Sequence, residues 1–202
     1  MISVKAPKGT QLLYFPMLDC TISAGFKNSK YKKKYGYQHY GMDFDSKRSV
    51  DFETLASGYG TVIGGEMNKN SIGGVTVIRY DNVFCPYDRK VRSLILRKYH
   101  SYKIIVKKGD KVRPLQPIAI VSGSDKWLNH DHTEIDKDIR YPFHTPQVSE
   151  GASKMLIRKG ANDKTMLNPL DVLVVHPKQK CKVHSLADCA DPVKDAPRYY
   201  EE

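Results

Sequence analysis

The chain is poor in the features that mark several large protein classes. No apolar run approaches the ~18 residues that a membrane span needs, so no membrane span is expected. The opening stretch, MISVKAPKGTQLLYF, has neither an unbroken apolar h-region nor a small-residue cleavage site, and no signal peptide is read in it. Cysteine is scarce. Cys20, Cys85, Cys181 and Cys189 form no C-x-x-C pair, which argues against a zinc ribbon. They read as ordinary thiols; the alternative, in an oxidising compartment, is a small C-terminal loop closed by Cys181 and Cys189. No internal repeat and no long amphipathic helix are visible. Acidic residues are in deficit, 22 against 33 basic ones, for a net charge of +11. That excess implies a polyanionic partner: nucleic acid, an acidic membrane or an acidic wall polymer.

What is present fits one soluble globular unit. At 202 residues, 40% hydrophobic and 27% charged, the chain is long enough for a single well-buried core. From about Leu55 onward, short runs rich in β-branched residues recur every 8–15 residues, with Gly and Pro between them. They are a short strand in ASGYGTVIGGEM, a second over Val75 to Tyr80, and one or two more in SLILRKYHSYKIIV, broken near His100. Another ends near Gly123, and HDHTEID follows. This spacing argues for an antiparallel sheet. NPLDVLVV reads as one helical turn followed by a strand. The organisation expected is an N-terminal segment over 1–19, a β domain over 20–176, and a polar, Pro-containing extension or linker over 177–202. The densest basic run, KYKKKYGYQHY from Lys30 to Tyr40, reads as a solvated loop with amphipathic Tyr at a cleft; a nucleic-acid contact strip is the competing reading.

The histidines carry the chemistry. His130 and His132 lie two apart in a strand pattern, so both imidazoles project from one face, while Asp131 points to the other. Upstream, His39 and Asp43 flank Gly41, which lets the chain turn so that both side chains converge. Imidazole and carboxylate are both good zinc ligands, and an H-x-x-x-D segment with an H-x-H strand supplies three. Three protein ligands leave one tetrahedral position for water, the pattern of a catalytic zinc site. His100 sits where a strand breaks and on its own reads as a surface residue. His144, His176 and His184 read as loop, strand-end and tail residues, with His144 a candidate for a groove rim.

Taken together, the segments resemble the lysostaphin/LytM-type zinc endopeptidases of peptidoglycan, peptidase family M23. HYGMDF is similar to the family's H-x-G-x-D segment, and LASGYGTVIGG to the strand that follows it. The stretch from His100 through GDKV and Gln116, the HDHTEID strand and MLNPLDVL continue the likeness in order, over about residues 20–175. The resemblance implies a mainly β fold: a compact antiparallel β-sheet domain with long loops framing a substrate groove. It implies one Zn2+ held by His39, Asp43 and His132, with His100 and His130 as catalytic imidazoles. A tyrosine ahead of the first ligand, Tyr31, Tyr35 or Tyr37, would support the oxyanion or substrate. Glu134 is read as facing away from the metal, free to orient a neighbouring loop or a His. The sequence departs from the family pattern at Asp131 and Thr133, where apolar residues are usual, in KYHS, and at Leu115, where a Gly is usual. These departures bear on packing and substrate preference.

The function expected is therefore hydrolysis of peptide bonds in peptidoglycan cross-links or stem peptides. The setting expected is that of an antibacterial phage lysin (endolysin) or virion-associated wall hydrolase, acting in the bacterial cell wall. Partners would be peptidoglycan, anionic wall polymers and other virion or lysin domains, and not nucleic acid. The alternative is a non-catalytic binding or regulatory module of the same fold for cell-wall polymers.

Overall fold

The computed structural model describes residues 3–45, 51–121, 130–160, 164–183 and 189–200. His184 and the strand end expected near Gly123 lie outside them. In chain order the strands are β1 (Ser3–Val4), β2 (Leu13–Tyr14), β3 (Asp19–Ala24), β4 (Met42–Asp45), β5 (Phe52–Leu55), β6 (Gly60–Glu66), β7 (Gly74–Cys85), β8 (Lys90–Ile104) and β9 (Lys111–Val112). They continue with β10 (Pro117–Val121), β11 (His130–Asp136), β12 (His144–Thr145), β13 (Ile157–Arg158), β14 (Met166–Leu167), β15 (Leu173–Val175), β16 (Lys180–Val183) and β17 (Arg198–Tyr200). Among the described residues a single short helix, α1 (Ser29–Tyr35), follows β3, and a 3-10 turn, Pro169–Asp171, precedes β15. The chain is mainly β and built largely on antiparallel pairing, as the strand spacing implies.

The principal sheet runs β16-β3-β4-β11-β8-β7-β6-β9, with β10 beside β8 and β5, and β14 beside β11. All of its pairings are antiparallel except β16 on β3. A second sheet, β1-β17-β15-β2, is wholly parallel. Its strands come from the two ends of the chain. Segments so distant in sequence meet without a hairpin, and a parallel pair needs no tight turn. The segment after Pro177 thus includes one strand in each of these two sheets, and β12 and β13 pair separately.

Alternation along the strands gives the principal sheet two unlike faces. One carries Ile22, Met42, Phe44, Ile78, Tyr80, Leu94, Leu96 and Ile135 into the main core, where Leu13, Phe15, Leu173 and Val175 meet them. Each such fully buried side chain contributes about 1.5–3 kcal/mol of transfer free energy. The other face carries the polar residues of the site. Beside them a smaller apolar cluster packs Val75, Val77, Ile95 and Tyr99 against Val148 and Leu156, from the segment between β12 and β13.

Two local findings amend the reading of the sequence. The run at His100 does not break the strand: β8 passes through it as one 15-residue strand. His100 itself adopts φ +66, and the register of β8 with its neighbours shifts on either side. The basic run begins as a helix, not a loop. Asn28 caps it, its Oδ1 accepting from the backbone N–H of Lys30 and Tyr31, and Gly36 ends it at φ +82. Lys32, Lys33 and Lys34 in its last turn oppose the negative end of the helix dipole. No residue of α1 is buried, so its surface is solvated, as the composition implies.

Candidate functional site

Three strands side by side, β4, β11 and β8, build the floor of the site. The register pairs His132 with Asp43 across β4 and with Tyr99 across β8. Directly opposed residues on adjacent strands share a face, so Asp43 and His132 meet without any special turn. His39 reaches the same point from the segment between α1 and β4. Its Nδ1–H donates to the Gly25 carbonyl at 2.9 Å, which leaves the Nε2 lone pair facing inward. That Nε2 lies 3.1 Å from Asp43 Oδ1 and 3.0 Å from His132 Nδ1, and the last two atoms are 2.8 Å apart. All three residues are buried.

This triangle fits a divalent ion. Donor atoms bound at about 2.0–2.1 Å in a tetrahedron lie roughly 3.3 Å from one another, close to the separations here. The donor set, two imidazoles and a carboxylate, is one that zinc accepts. Three electron-pair donors converging in a buried space repel one another unless a proton or a cation stands between them. The electrostatics record this. Burial pushes His132 down, but the carboxylates of Asp43 and Glu134 outweigh it and raise the ring to about 9. Burial pushes the Asp43 carboxyl up, and the neighbouring His39, His130 and His132 more than offset it, leaving it well below the carboxylate range. A divalent ion would take the place of the His132 proton.

The two remaining imidazoles stand beside the triangle. His130 Nε2 is 3.9 Å from Asp43 Oδ1. The His100 ring centroid is 4.5 Å from that of His130 and 6.1 Å from that of His132. His100 Nδ1 faces the Ser71 carbonyl at 3.2 Å, so Nδ1 carries the proton and Nε2 is an acceptor. Burial first, then the positive charge available to His130 and His132, push His100 down to about 3, so the ring is neutral near pH 7. Of the tyrosines singled out from the sequence, Tyr31 stacks on the His39 ring at 4.2 Å between centroids. Its hydroxyl is 3.2 Å from that of Tyr37, and the Tyr35 ring lies 4.5 Å from its own. Tyr31 thus touches a ring of the site, whereas Tyr35 and Tyr37 are exposed on its outer side. His144 contacts Tyr141 and His176 contacts Tyr14.

Two corrections concern residues between and after the candidate ligands. Gly41 does not adopt a left-handed turn. It is needed because a Cβ there would stand 2.5 Å from the His132 ring. Glu134 does not face away: as residue i+2 from His132 it shares that face, with Oε1 3.7 Å from His132 Nε2. Behind it lies a buried network that the sequence reading missed. Arg97 donates to Glu134 at 3.2 Å and to Asp136 at 3.0 Å, and the Thr145 hydroxyl donates to Glu134 at 2.8 Å. Charged residues inside the apolar run LILRKY were the available signal, since a buried charge must be paired.

On the opposite face, Asp131 and Thr133 meet Lys98, whose Nζ lies 3.8 Å from Asp131 and donates to the Thr133 hydroxyl at 3.4 Å. The Thr54 hydroxyl also donates to Asp131. The polar departures in this strand are thus one network buried in the core.

No family model matches the chain, and no curated protein sequence matches it. Among solved structures, a chain of the SpoIIQ–SpoIIIAH pore-forming complex superposes with a TM-score of 0.54 at 20% identity, over 82% of this chain and 92% of that one. A zinc-containing peptidase from Vibrio cholerae gives 0.47 at 25% identity, over 62% of this chain and 37% of that one. The catalytic domain of the prophage-encoded M23 protein EnpA from Enterococcus faecalis gives 0.45 at 21% identity, over 59% and 82%. The first of these likenesses is one of fold.

Proposed function

We propose that the chain is a zinc-dependent endopeptidase that hydrolyses peptide bonds in bacterial peptidoglycan, acting in the cell wall. The observation that carries this reading is the convergence of His39 Nε2, Asp43 Oδ1 and His132 Nδ1 within 3.1 Å of one another, with two further imidazoles alongside. His39, Asp43 and His132 would hold the ion. When bound, zinc supplies Lewis acidity, lowering the pKa of water towards ~7 and polarising a carbonyl. The residues of the chain supply the rest. His130, partly exposed beside Asp43, is placed to accept a proton from an attacking water. His100, neutral and with Nε2 unprotonated, is placed to share that proton and return it to the departing amine. The Gly25 carbonyl holds the His39 ring in its tautomer, and the Glu134 carboxylate, 3.7 Å from His132 Nε2, electrostatically favours a proton on that nitrogen. Tyr31 shields His39 from bulk water by stacking on it. The net charge of +11 suits a wall that carries anionic polymers.

Zymography on purified wall material tests the reading. Lysis that a chelator abolishes and zinc restores is expected, as is its loss in His130→Ala and His39→Ala. Full activity in His130→Ala would remove the catalytic assignment.

A second reading is a non-catalytic module of the same fold that binds a wall polymer or a protein partner. The fold likeness to a chain of the SpoIIQ–SpoIIIAH complex favours it. On that reading wall binding survives the chelator, and no fragments are released.

A further inference from the structure

Of the four cysteines, two lie face to face. Cys20 in β3 and Cys181 in β16 are directly paired in the parallel register, and their sulfurs are 2.8 Å apart. Both side chains point into the main core. Opposed residues on neighbouring strands are separated by about 4.8 Å, inside the Cα window of roughly 4.4–6.8 Å that a disulfide spans. The loop closure suggested by the sequence, Cys181 with Cys189, has no such geometry. Cys189 bridges Ala24, four residues along β3 from Cys20. Four extended residues place the two levels about 13 Å apart, beyond disulfide reach. Cys85 belongs to the far end of β7.

The pair sits at a consequential place. β16 is an edge strand of the principal sheet. Lys180 N–H donates to the Leu18 carbonyl at 2.7 Å, and the buried Gln179 amide donates to the carbonyls of Phe15 and Met17 at 2.7 and 2.9 Å. Further along β3, the C-terminal segment returns: Gly25 N–H donates to the Cys189 carbonyl at 2.9 Å. The Asp195 carboxylate presses on Gly25 so closely that a Cβ there would stand 2.4 Å from it. The carbonyl of that same Gly25 accepts from His39 Nδ1. Cys189 and Asp195 therefore brace, through Gly25, one ring of the candidate metal site.

We propose that Cys20 and Cys181 are a modification site: a disulfide-forming pair that staples the C-terminal segment to β3 under oxidising conditions. The co-reactant is a small-molecule disulfide. Cys181, on the edge strand, attacks one sulfur of that disulfide as its thiolate and releases one thiol. Cys20 then attacks the mixed disulfide at the Cys181 sulfur and releases the second thiol. Two protons and two electrons leave the pair, and one acceptor disulfide becomes two thiols. In the reduced chain the hydrogen bond that Cys20 donates to Cys181, then burial, hold the Cys20 thiol well above the ordinary thiol range, and both sulfurs lie in the core, so both steps require local opening of β16. The cross-link would join residues 161 apart, a long loop whose closure strongly restricts the unfolded chain.

The test uses the full chain incubated with oxidised glutathione, folded and also during refolding. Accessible plus denaturant-released thiols fall from four to two, and peptide mapping without reductant recovers the Cys20–Cys181 link. The melting temperature rises on the order of 10 °C, and dithiothreitol reverses the rise. The double variant Cys85→Ser, Cys189→Ser retains both the link and the shift, whereas Cys181→Ala loses both. Four thiols after both treatments, or a map that joins Cys181 to Cys85 or Cys189, would overturn the proposal. None of these readouts depends on zinc or on hydrolysis, so they stand or fall apart from the proposed function.

Discussion

Gly41 lies against the imidazole of His132 with no room for a side chain: a Cβ at this position would stand 2.5 Å from Cε1 and Nε2 and 2.8 Å from the Thr133 carbonyl. The ring on one side and strand β11 on the other fix that space. Gly41→Ala must therefore push His132 out of the triangle or part β4 from β11. The expected outcome is a fall in zinc affinity of about 10–100-fold, read by calorimetric titration of chelator-stripped protein. Overpacking should also cost about 1–3 kcal/mol of stability in urea unfolding. Unchanged zinc affinity would show that the ring has another place to go.

A second glycine guards the other side of the site. Gly73 adopts φ +60, and a Cβ there would lie 3.1 Å from His100 Cα and 3.3 Å from its carbonyl carbon. His100 is held in its own left-handed conformation by donating its N–H to the Ile72 carbonyl at 3.0 Å. Gly73→Ala strains one backbone and displaces the other without touching His39, Asp43 or His132. Stability should fall by about 1 kcal/mol. If His100 handles the proton, kcat should drop by about 10–100-fold while zinc affinity holds. A kcat equal to that of the parent would remove His100 from the mechanism.

Arg97 is fully buried between Glu134 and Asp136, and Lys159 also reaches Asp136 at 2.7 Å. Removing the guanidinium leaves Glu134 buried without a cationic partner other than His132. Arg97→Met should destabilise the chain by about 3–5 kcal/mol, measured by chemical denaturation. Pairing it with Glu134→Gln should recover part of that loss, since the uncompensated charge is then gone. An additive double variant would show that the two groups do not act as a pair.

How much of this was legible beforehand differs from strand to strand. β11 declared itself through its period: His130 and His132 share a face because strand side chains alternate, and the register with β4 brings Asp43 to them. Applied two residues further, the same rule places Glu134 on that face. The parallel pairing of β15, β16 and β17 carried no local signal. Each segment is only three or four residues long, and each pairs with a strand at the other end of the chain. The partners of Lys98 were equally opaque, although its place in an apolar run hinted at burial. They are Asp131 and Thr133, one strand away in the register. The left-handed backbone of Leu115, φ +63, was not anticipated, since leucine rarely adopts it.

Glu66 ties the segment between β12 and β13 to β6. Its carboxylate accepts from the backbone N–H of Lys154 at 2.8 Å and of Met155 at 3.3 Å, from the Ser153 hydroxyl, and from the Asn68 amide at 3.4 Å. Burial pushes the carboxyl up, but these donors outweigh it and hold it below its ordinary value. A carboxylate with a depressed folded pKa contributes stability that is fully present above the unfolded value, about 4.3, and is lost as pH falls through the folded value. The segment it anchors carries Val148 and Leu156 onto Tyr99, and its Gln147 side chain accepts from the Tyr40 N–H at 2.8 Å, next to His39. Hydrogen-exchange protection of the Lys154 and Met155 amides should therefore hold from pH 7 down to about 4.5 and decline below it. In Glu66→Gln the protection should already be reduced at pH 7, with a weaker pH dependence. Protection that persists below the folded pKa in the parent chain would assign the anchoring to the apolar contacts of Val148 and Leu156 instead.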